Sequence, residues 1–271
     1  MKARKVVKPL VWIVILTLIV LMSLVIRKHH RAIYRELRKT YRSITAPKHS
    51  NPPKKLRPSL ALGVAVPSDF HVFGLDVSRH QGKINWRKLS EFQFEGYKFE
   101  FVYIKATEGS VWVDNKFDYN WANAKKYKLL RGAYHFYKPR ITSKEQMENF
   151  TSVVDLESGD LPPVLDVEME SSISKSRYRE GVLNCLKIME QTYHVKPIVY
   201  TNQQLYNEYF DYSSFDEYQF WISRLRSSAP EIENWSFWQF TYEAVISGSN
   251  EYVDVNVFNG DIATLKALTK K

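Results

Sequence analysis

The sequence predicts an α/β barrel, and three observations carry that expectation. Eight short apolar or β-branched runs recur from residue 71 onward, at about 71–77, 100–105, 131–137, 163–168, 197–201, 218–223, 235–240 and 252–257. Helix-like patterns at 85–94, 115–127, 143–156 and 174–193 separate the early runs, with a short one at 202–210. Strands alternating with helices imply parallel pairing through crossover helices. The last three gaps are too short for such helices, so the final third of the barrel is expected to be strands and loops. Eight strands in about 200 residues make a barrel smaller than the usual ~250.

What precedes the barrel is different in kind. Residues 10–26 (LVWIVILTLIVLMSLVI) carry no charge, near the lower length limit for a membrane-spanning helix. Arg27–Lys28–His29–His30–Arg31 follows in place of a small-residue cleavage site, so an uncleaved single-pass anchor is expected, with 1–9 as a basic cytoplasmic tail. Residues 27–69 read as a basic, Pro- and Lys-rich stem with no packed core, and the barrel as 70–271. Positive charge is heavier after the apolar segment, which taken alone would hold that side in the cytoplasm.

The net charge of +10 is unevenly placed. Residues 1–60 hold 15 Lys+Arg and one acid, whereas the remaining 211 hold 24 basic and 28 acidic residues. The basic stretch therefore points to a membrane surface, and the mildly acidic remainder gives no support for nucleic-acid binding. Cys185, the single cysteine, lies in an apolar run and reads as a buried structural residue. His71, His80 and His194 are isolated and show no metal-ligand spacing, and no glycine-rich loop suits a phosphate, so neither a metal nor another cofactor is expected. His135, among aromatics, reads as a packed, hydrogen-bonded histidine.

Strand four is the most informative stretch. In Pro162–Pro163–Val164–Leu165–Asp166–Val167–Glu168–Met169–Glu170, acids alternate with apolar residues. Side chains on a strand alternate faces, so Asp166 and Glu168 share one face about 6.6 Å apart. Like charges so placed cost free energy unless something uses them. A strand fraying into a solvated loop, with Glu170 in water, explains the pattern; so does a paired-carboxylate site for sugar chemistry.

Barrel enzymes place their chemistry at the C-terminal strand ends, which decides between those readings. The ends supply Asp76 and Ser78; Lys105, Thr107 and Glu108; Tyr134, His135 and Tyr137; Asp166 and Glu168; Tyr200 and Asn202; Trp221, Ser223 and Arg224; Trp238 and Gln239; Asp254 and Asn256. Carboxylates beside aromatic rings and amides suit a sugar chain. Lys105 and Glu108 fit equally a structural bridge and a site role, and Trp112, Trp121 and Trp235 fit core and ligand platform alike.

Taken in order, FGLDVSRHQGKINW (73–86), FVYIKATEGSVWVDNKF (101–117), RGAYHFY (131–137), LPPVLDVE (161–168), PIVYTN (197–202), FWISRL (220–225), FWQFT (237–241) and VDVNVF (253–258) resemble glycoside hydrolase family 25, the CH-type lysozymes or N-acetylmuramidases. The resemblance implies a TIM-like (β/α)5(β)3 barrel that cleaves the β-1,4 bond between N-acetylmuramic acid and N-acetylglucosamine of peptidoglycan. By position it makes Glu168 the general acid, with Asp166 supporting it and Asp76 and Asp254 completing the acidic cluster. Tyr134, Lys105, Tyr200, Trp221, Trp238 and Gln239 would bind substrate. It also implies retention of configuration with help from the substrate's acetamido group. The neighbouring carboxylates are expected to raise the pKa of Glu168. Asn85 and Leu225 depart from the family pattern, where an aspartate and an aromatic are usual. The expected partners are glycan strands and the membrane, with a monomeric catalytic domain outside the cytoplasmic membrane; a catalytically inactive, glycan-binding barrel is the alternative. A chitinase-like barrel is disfavoured, because Gly159–Asp160–Leu161–Pro162 stand where its DxxDxDxE run would be.

Overall fold

The computed structural model describes residues 56–225 and 228–271. The expected tail, membrane anchor and stem up to residue 55 lie outside the described residues; among those described, no helix is long and apolar enough to cross a membrane.

The described chain opens with a hairpin that composition alone assigned to the stem. Strand β1 (Leu56–Ser59) pairs antiparallel with β2 (Val64–Pro67). Leu62 and Val66 are fully buried, and the Val245 amide donates to the Leu62 carbonyl at 2.9 Å. Two apolar side chains with a core to enter outweighed the Pro/Lys composition around them, so this part of the stem belongs to the folded unit.

The chain then runs β3 (Phe73–Val77), α1 (Trp86–Glu91), β4 (Phe99–Glu108), β5 (Trp112–Val113), α2 (Phe117–Lys126), β6 (Leu130–Phe136), α3 (Ser143–Val153), β7 (Val164–Asp166), α4 (Lys175–Tyr193), β8 (Ile198–Asn202), β9 (Gln219–Ser223), β10 (Trp235–Ala244), β11 (Val253–Phe258) and α5 (Ile262–Ala267). A helical turn at Gln203–Leu205 widening into a π-type turn at Tyr206–Phe210 stands where the short helix was expected. All of these helices except α2 begin at side-chain caps, which satisfy amides that have no intrahelical partner. Thr142 and Glu145 form a reciprocal capping box on α3, and Ser174 caps α4. Asn85 caps α1 by accepting from the Lys88 amide at 3.1 Å, so this departure from the family pattern keeps the capping bond.

Among the described residues, eight strands close into a barrel in the order β3, β4, β6, β7, β8, β9, β10, β11, while β5 forms a small flap on β4. Neighbours from β3 to β10 are parallel. Strand β11 runs antiparallel to both β10 and β3, which closes the ring. Strand alternation sorts the apolar residues into two layers. Phe101, Tyr103, Val164, Ile198, Trp221, Phe237 and Phe258 fill the interior. Leu75, Val102, Leu165, Val199, Ile222 and Val255 face outward into a second layer that also holds Met147, Phe150, Val182 and Leu186 of the helices. Gly132 is required by this filling: a Cβ there would lie 2.2 Å from the Tyr103 ring. On the parallel strands the polar residues that follow the interior apolar ones gather at the C-terminal mouth; on antiparallel β11, Asp254 and Asn256 precede Phe258 and reach the same end.

Candidate active site

A cleft of about 540 Å³ opens at that mouth. Strand β7 delivers Asp166 to its floor, where the side chain is 7% exposed. The chain stays extended past β7, with the Val167 amide donating to the Tyr200 carbonyl at 2.8 Å, so Glu168 emerges on the same side as Asp166 but exposed at the rim. Strands β3 and β11 place Asp76 and Asp254 directly opposite one another in register. All four acids line the one cleft, as do Lys105, Tyr134, Tyr200, Trp221 and Gln239.

A hydrogen-bond chain ties these groups together. The Tyr200 hydroxyl donates to Gln239 Oε1 at 2.6 Å, and Gln239 Nε2 donates to Asp254 Oδ1 at 2.7 Å and Asp76 Oδ2 at 3.4 Å. Asn256 Nδ2 donates to Asp76 Oδ2 at 2.8 Å and its carbonyl accepts from Trp221 Nε1 at 2.8 Å. Asn256 was visible as a strand end in the sequence but not as part of the site; its place two residues after Asp254 on an inward face is the signal that finds it. Asp166 Oδ1, in contrast, is buried without a hydrogen-bond partner. An orphaned carboxylate oxygen in a cleft costs free energy until a donor arrives.

The electrostatics follow from burial first. Burial lifts the Asp76 carboxyl well above the usual range, with the Asp254 charge adding to it and the Asn256 hydrogen bond opposing it. Asp166 is likewise lifted well above its ordinary value by burial and then by Glu168, with Lys105 opposing. Asp254 is pushed up to about 7, again by burial first. Glu168 is raised as well, and its leading cause is loss of water to the cleft walls, opposed by Lys105. The sequence reading had put the neighbouring carboxylates first for Glu168. The repulsion falls instead on the buried aspartates, because a group open to solvent on one side screens its neighbours' charge.

Lys105 forms the structural bridge, and does so from the wall of the cleft. Its Nζ donates to Glu108 Oε2 at 2.8 Å. Lys138 reaches the other Glu108 oxygen at 2.7 Å. Burial pushes Glu108 upward, but these two lysines outweigh it and hold the carboxyl below its ordinary value. His135 is a packed histidine, bonded to Thr107 Oγ1 at 2.7 Å and Gln146 Oε1 at 3.3 Å, and burial lowers its pKa to about 4.

Trp238 corrects the expected substrate set. It is 1% exposed, packs in the outer layer beside Phe240 and Phe70, and donates Nε1 to the Arg224 carbonyl. Adjacent strand residues face opposite ways, so Gln239 inside requires Trp238 outside. Trp221 does line the cleft, yet it is 2% exposed and edge-on to Tyr200, which makes it floor and not an open platform. Tyr242 was missed. It is 47% exposed and lines the cleft beside Leu225. A register shift between Gln239 and Thr241 breaks the two-residue alternation there, so the pattern could not reveal it.

The arrangement is thus a solvent-facing carboxyl, Glu168, and a buried one, Asp166, both with raised pKa and the second with an unpartnered oxygen, in a hollow walled by rings and amides. The family model for glycosyl hydrolases family 25 matches residues 75–249. Lysozyme M1 of Streptomyces globisporus is 32% identical over 215 residues, 73% of this chain and 71% of the relative. YegX of Escherichia coli strain K12 is 35% identical over 213 residues, 78% of each chain. The crystal structure of the bacterial lysozyme from Streptomyces coelicolor aligns with a TM-score of 0.69 at 30% identity, covering 75% of this chain and 99% of that one. The family model spans Asp76, Asp166 and Glu168, and the chain belongs to glycosyl hydrolase family 25 and is a glycoside hydrolase.

Proposed function

We propose that this protein is a membrane-anchored muramidase that cleaves the β-1,4 bond between N-acetylmuramic acid and N-acetylglucosamine of peptidoglycan, with retention of configuration. The observation that carries the reading is the buried, partnerless Asp166 Oδ1 beneath Glu168. In this mechanism Glu168 enters protonated and gives its proton to the glycosidic oxygen as the bond to the anomeric carbon breaks. Asp166 accepts a hydrogen bond from the acetamido N–H, which directs the acetamido carbonyl oxygen onto the anomeric carbon. Glu168, now a carboxylate, takes a proton from the water that opens the resulting ring, and two displacements restore the starting configuration. Asp76 and Asp254, held by Gln239 and Asn256, position the sugar hydroxyls and keep the site acidic. Tyr134, Tyr200, Lys105, Trp221 and Gln239 contact the glycan.

We read the barrel as the (β/α)5(β)3 form and the catalytic unit as monomeric. The anchor rests on the 17 uncharged residues at 10–26 followed by Arg27 and Lys28. A peptidoglycan substrate places the barrel on the periplasmic or extracellular side, against the local charge bias. A reporter fused after Lys271 tests this: activity confined to the cytoplasm overturns it.

The catalytic test uses the full chain on a peptidoglycan suspension. Wild type clears it and releases reducing ends, with the first-formed product keeping the β anomer by NMR. Glu168→Gln lowers kcat by at least ~100-fold and does not lower the melting temperature, since the side chain is exposed and its pKa is raised in the fold. Undiminished turnover in that variant removes Glu168 from its role. Saturable binding by the wild type without product replaces hydrolysis with recognition.

A further inference from the structure

A second groove, about 890 Å³ and larger than the catalytic cleft, lies beside it at the same end of the barrel. Its walls come from the segment that follows β6, the first residues of α3 and one face of α4 from Arg177 to Ile188, and the segment after β7 supplies Ser172 and Ile173. The two hollows share these segments: Phe136 and Glu168 line the cleft, while Tyr137 and Ser172 line the groove. Gly181 of α4 makes the floor possible, because the Tyr137 hydroxyl sits 2.3 Å from where a Cβ would be.

The groove's charge sets it apart. Arg140, Lys144, Arg177 and Lys187 line it against a single acid, Glu180, in a barrel whose remaining composition is net acidic. Lys144 pairs loosely with Glu148 at 3.7 Å. Arg140 donates to Ser172 Oγ at 2.7 Å, which bridges the two loops. Neither this hydrogen bond nor any ion pair among the described residues neutralises Arg140, Arg177 or Lys187. Concentrated, uncompensated positive charge costs self-repulsion, and a carboxylate ligand relieves it.

We infer that this groove binds the acidic peptide that a peptidoglycan strand carries, while the glycan lies in the catalytic cleft. The inference rests on the muramidase reading above and adds the substrate's peptide to it. Reach supports it: Glu168 and Ser172 are four residues apart, so their Cα atoms are at most ~14 Å apart, and an extended peptide of about four residues spans the same distance. The peptide's carboxylates then meet Arg140 and Arg177, whose planar forks suit bidentate pairing. The groove acts on substrate capture and leaves the bond-breaking groups untouched.

The test compares two substrates with the full chain: peptide-bearing glycan strands, and the same strands stripped of peptide by an amidase. The variant is Arg140→Gln, Arg177→Gln and Lys187→Gln together, checked by thermal melting. For the peptide-bearing strands its KM rises about tenfold at low salt with kcat unchanged, and on stripped strands it matches wild type. Salt of about 0.5 M erases the wild-type advantage, as expected of partly exposed charges. Equal effects on both substrates, or none on either, overturn the inference, as does binding of poly(glycerol phosphate) at the groove without any dependence on peptide. Failure of the wild type to cut either substrate strikes the muramidase reading. In that event anisotropy titration with fluorescent peptide-bearing strands decides the groove separately: weaker binding by the triple variant supports it, and equal affinity overturns it.

Discussion

Asp254→Asn measures what the acidic cluster costs the fold. The Asp254 carboxyl rises from an ordinary value of 3.8 to about 7 because it is buried and faces Glu168. Between those values the folded protein holds a proton that the unfolded chain has released, so stability falls as pH rises through the window. At ~1.4 kcal/mol per pH unit the penalty reaches ~4 kcal/mol at pH 8 and stays under ~1 kcal/mol at pH 4. Asparagine keeps an Oδ1 that can accept the 2.7 Å bond from Gln239 Nε2 and carries no charge. The variant should therefore gain ~4 kcal/mol at pH 8, or roughly 8–16 °C in Tm at the usual ~2–4 °C per kcal/mol for a domain of this size. Near pH 4 the two proteins should melt together. Thermal melts across pH 4–8 provide the assay. A gain that does not change with pH, or a variant less stable at pH 8, would refute the assignment of burial and charge as the cause.

His135 works in the opposite direction. Its pKa is lowered to about 4 in the fold, so its contribution is complete above ~6.5 and is lost as pH falls toward 4, by ~3 kcal/mol in total; urea midpoints for wild type and His135→Gln should diverge above pH 6 and converge at pH 4. Tyr242→Ala should raise KM about fivefold, as expected for loss of ~1 kcal/mol of ring contact, while Trp238→Phe leaves KM alone and lowers Tm. Gly132→Ala forces a methyl group into the Tyr103 ring and should cost at least ~1–3 kcal/mol, visible as a lower denaturation midpoint.

The parts of this protein legible in its sequence are those governed by short, regular periods. The eight barrel strands stand within a few residues of their expected limits, because each alternates inward and outward residues and ends in a polar pair. The acids converge as expected, since Asp76 and Asp254 face each other in register and Asp166 lines the same cleft. Where the period breaks, reading fails. Trp238 and Gln239 were both assigned to the cleft although neighbours on a strand cannot share a face. Tyr242 was hidden by the shift in β10. The hairpin at 56–67 was hidden by composition, because two buried side chains among prolines and lysines leave no pattern. The balance of forces on Glu168 was illegible for another reason: desolvation depends on the walls of the cleft, and those exist only once the chain is folded.

The hairpin has a practical consequence for anyone who wishes to work with the barrel alone. Strand β2 packs on β10, and Phe70 just beyond it lies against Trp235 and Trp238 at ring separations of 5.6 and 6.0 Å. Trimming the protein at residue 70, where the charged linker ends on paper, would remove the buried Leu62 and Val66 and the strand that packs on β10, leaving that side of the barrel open to water. A version meant to stay in solution without its N-terminal segment should start ahead of Leu56.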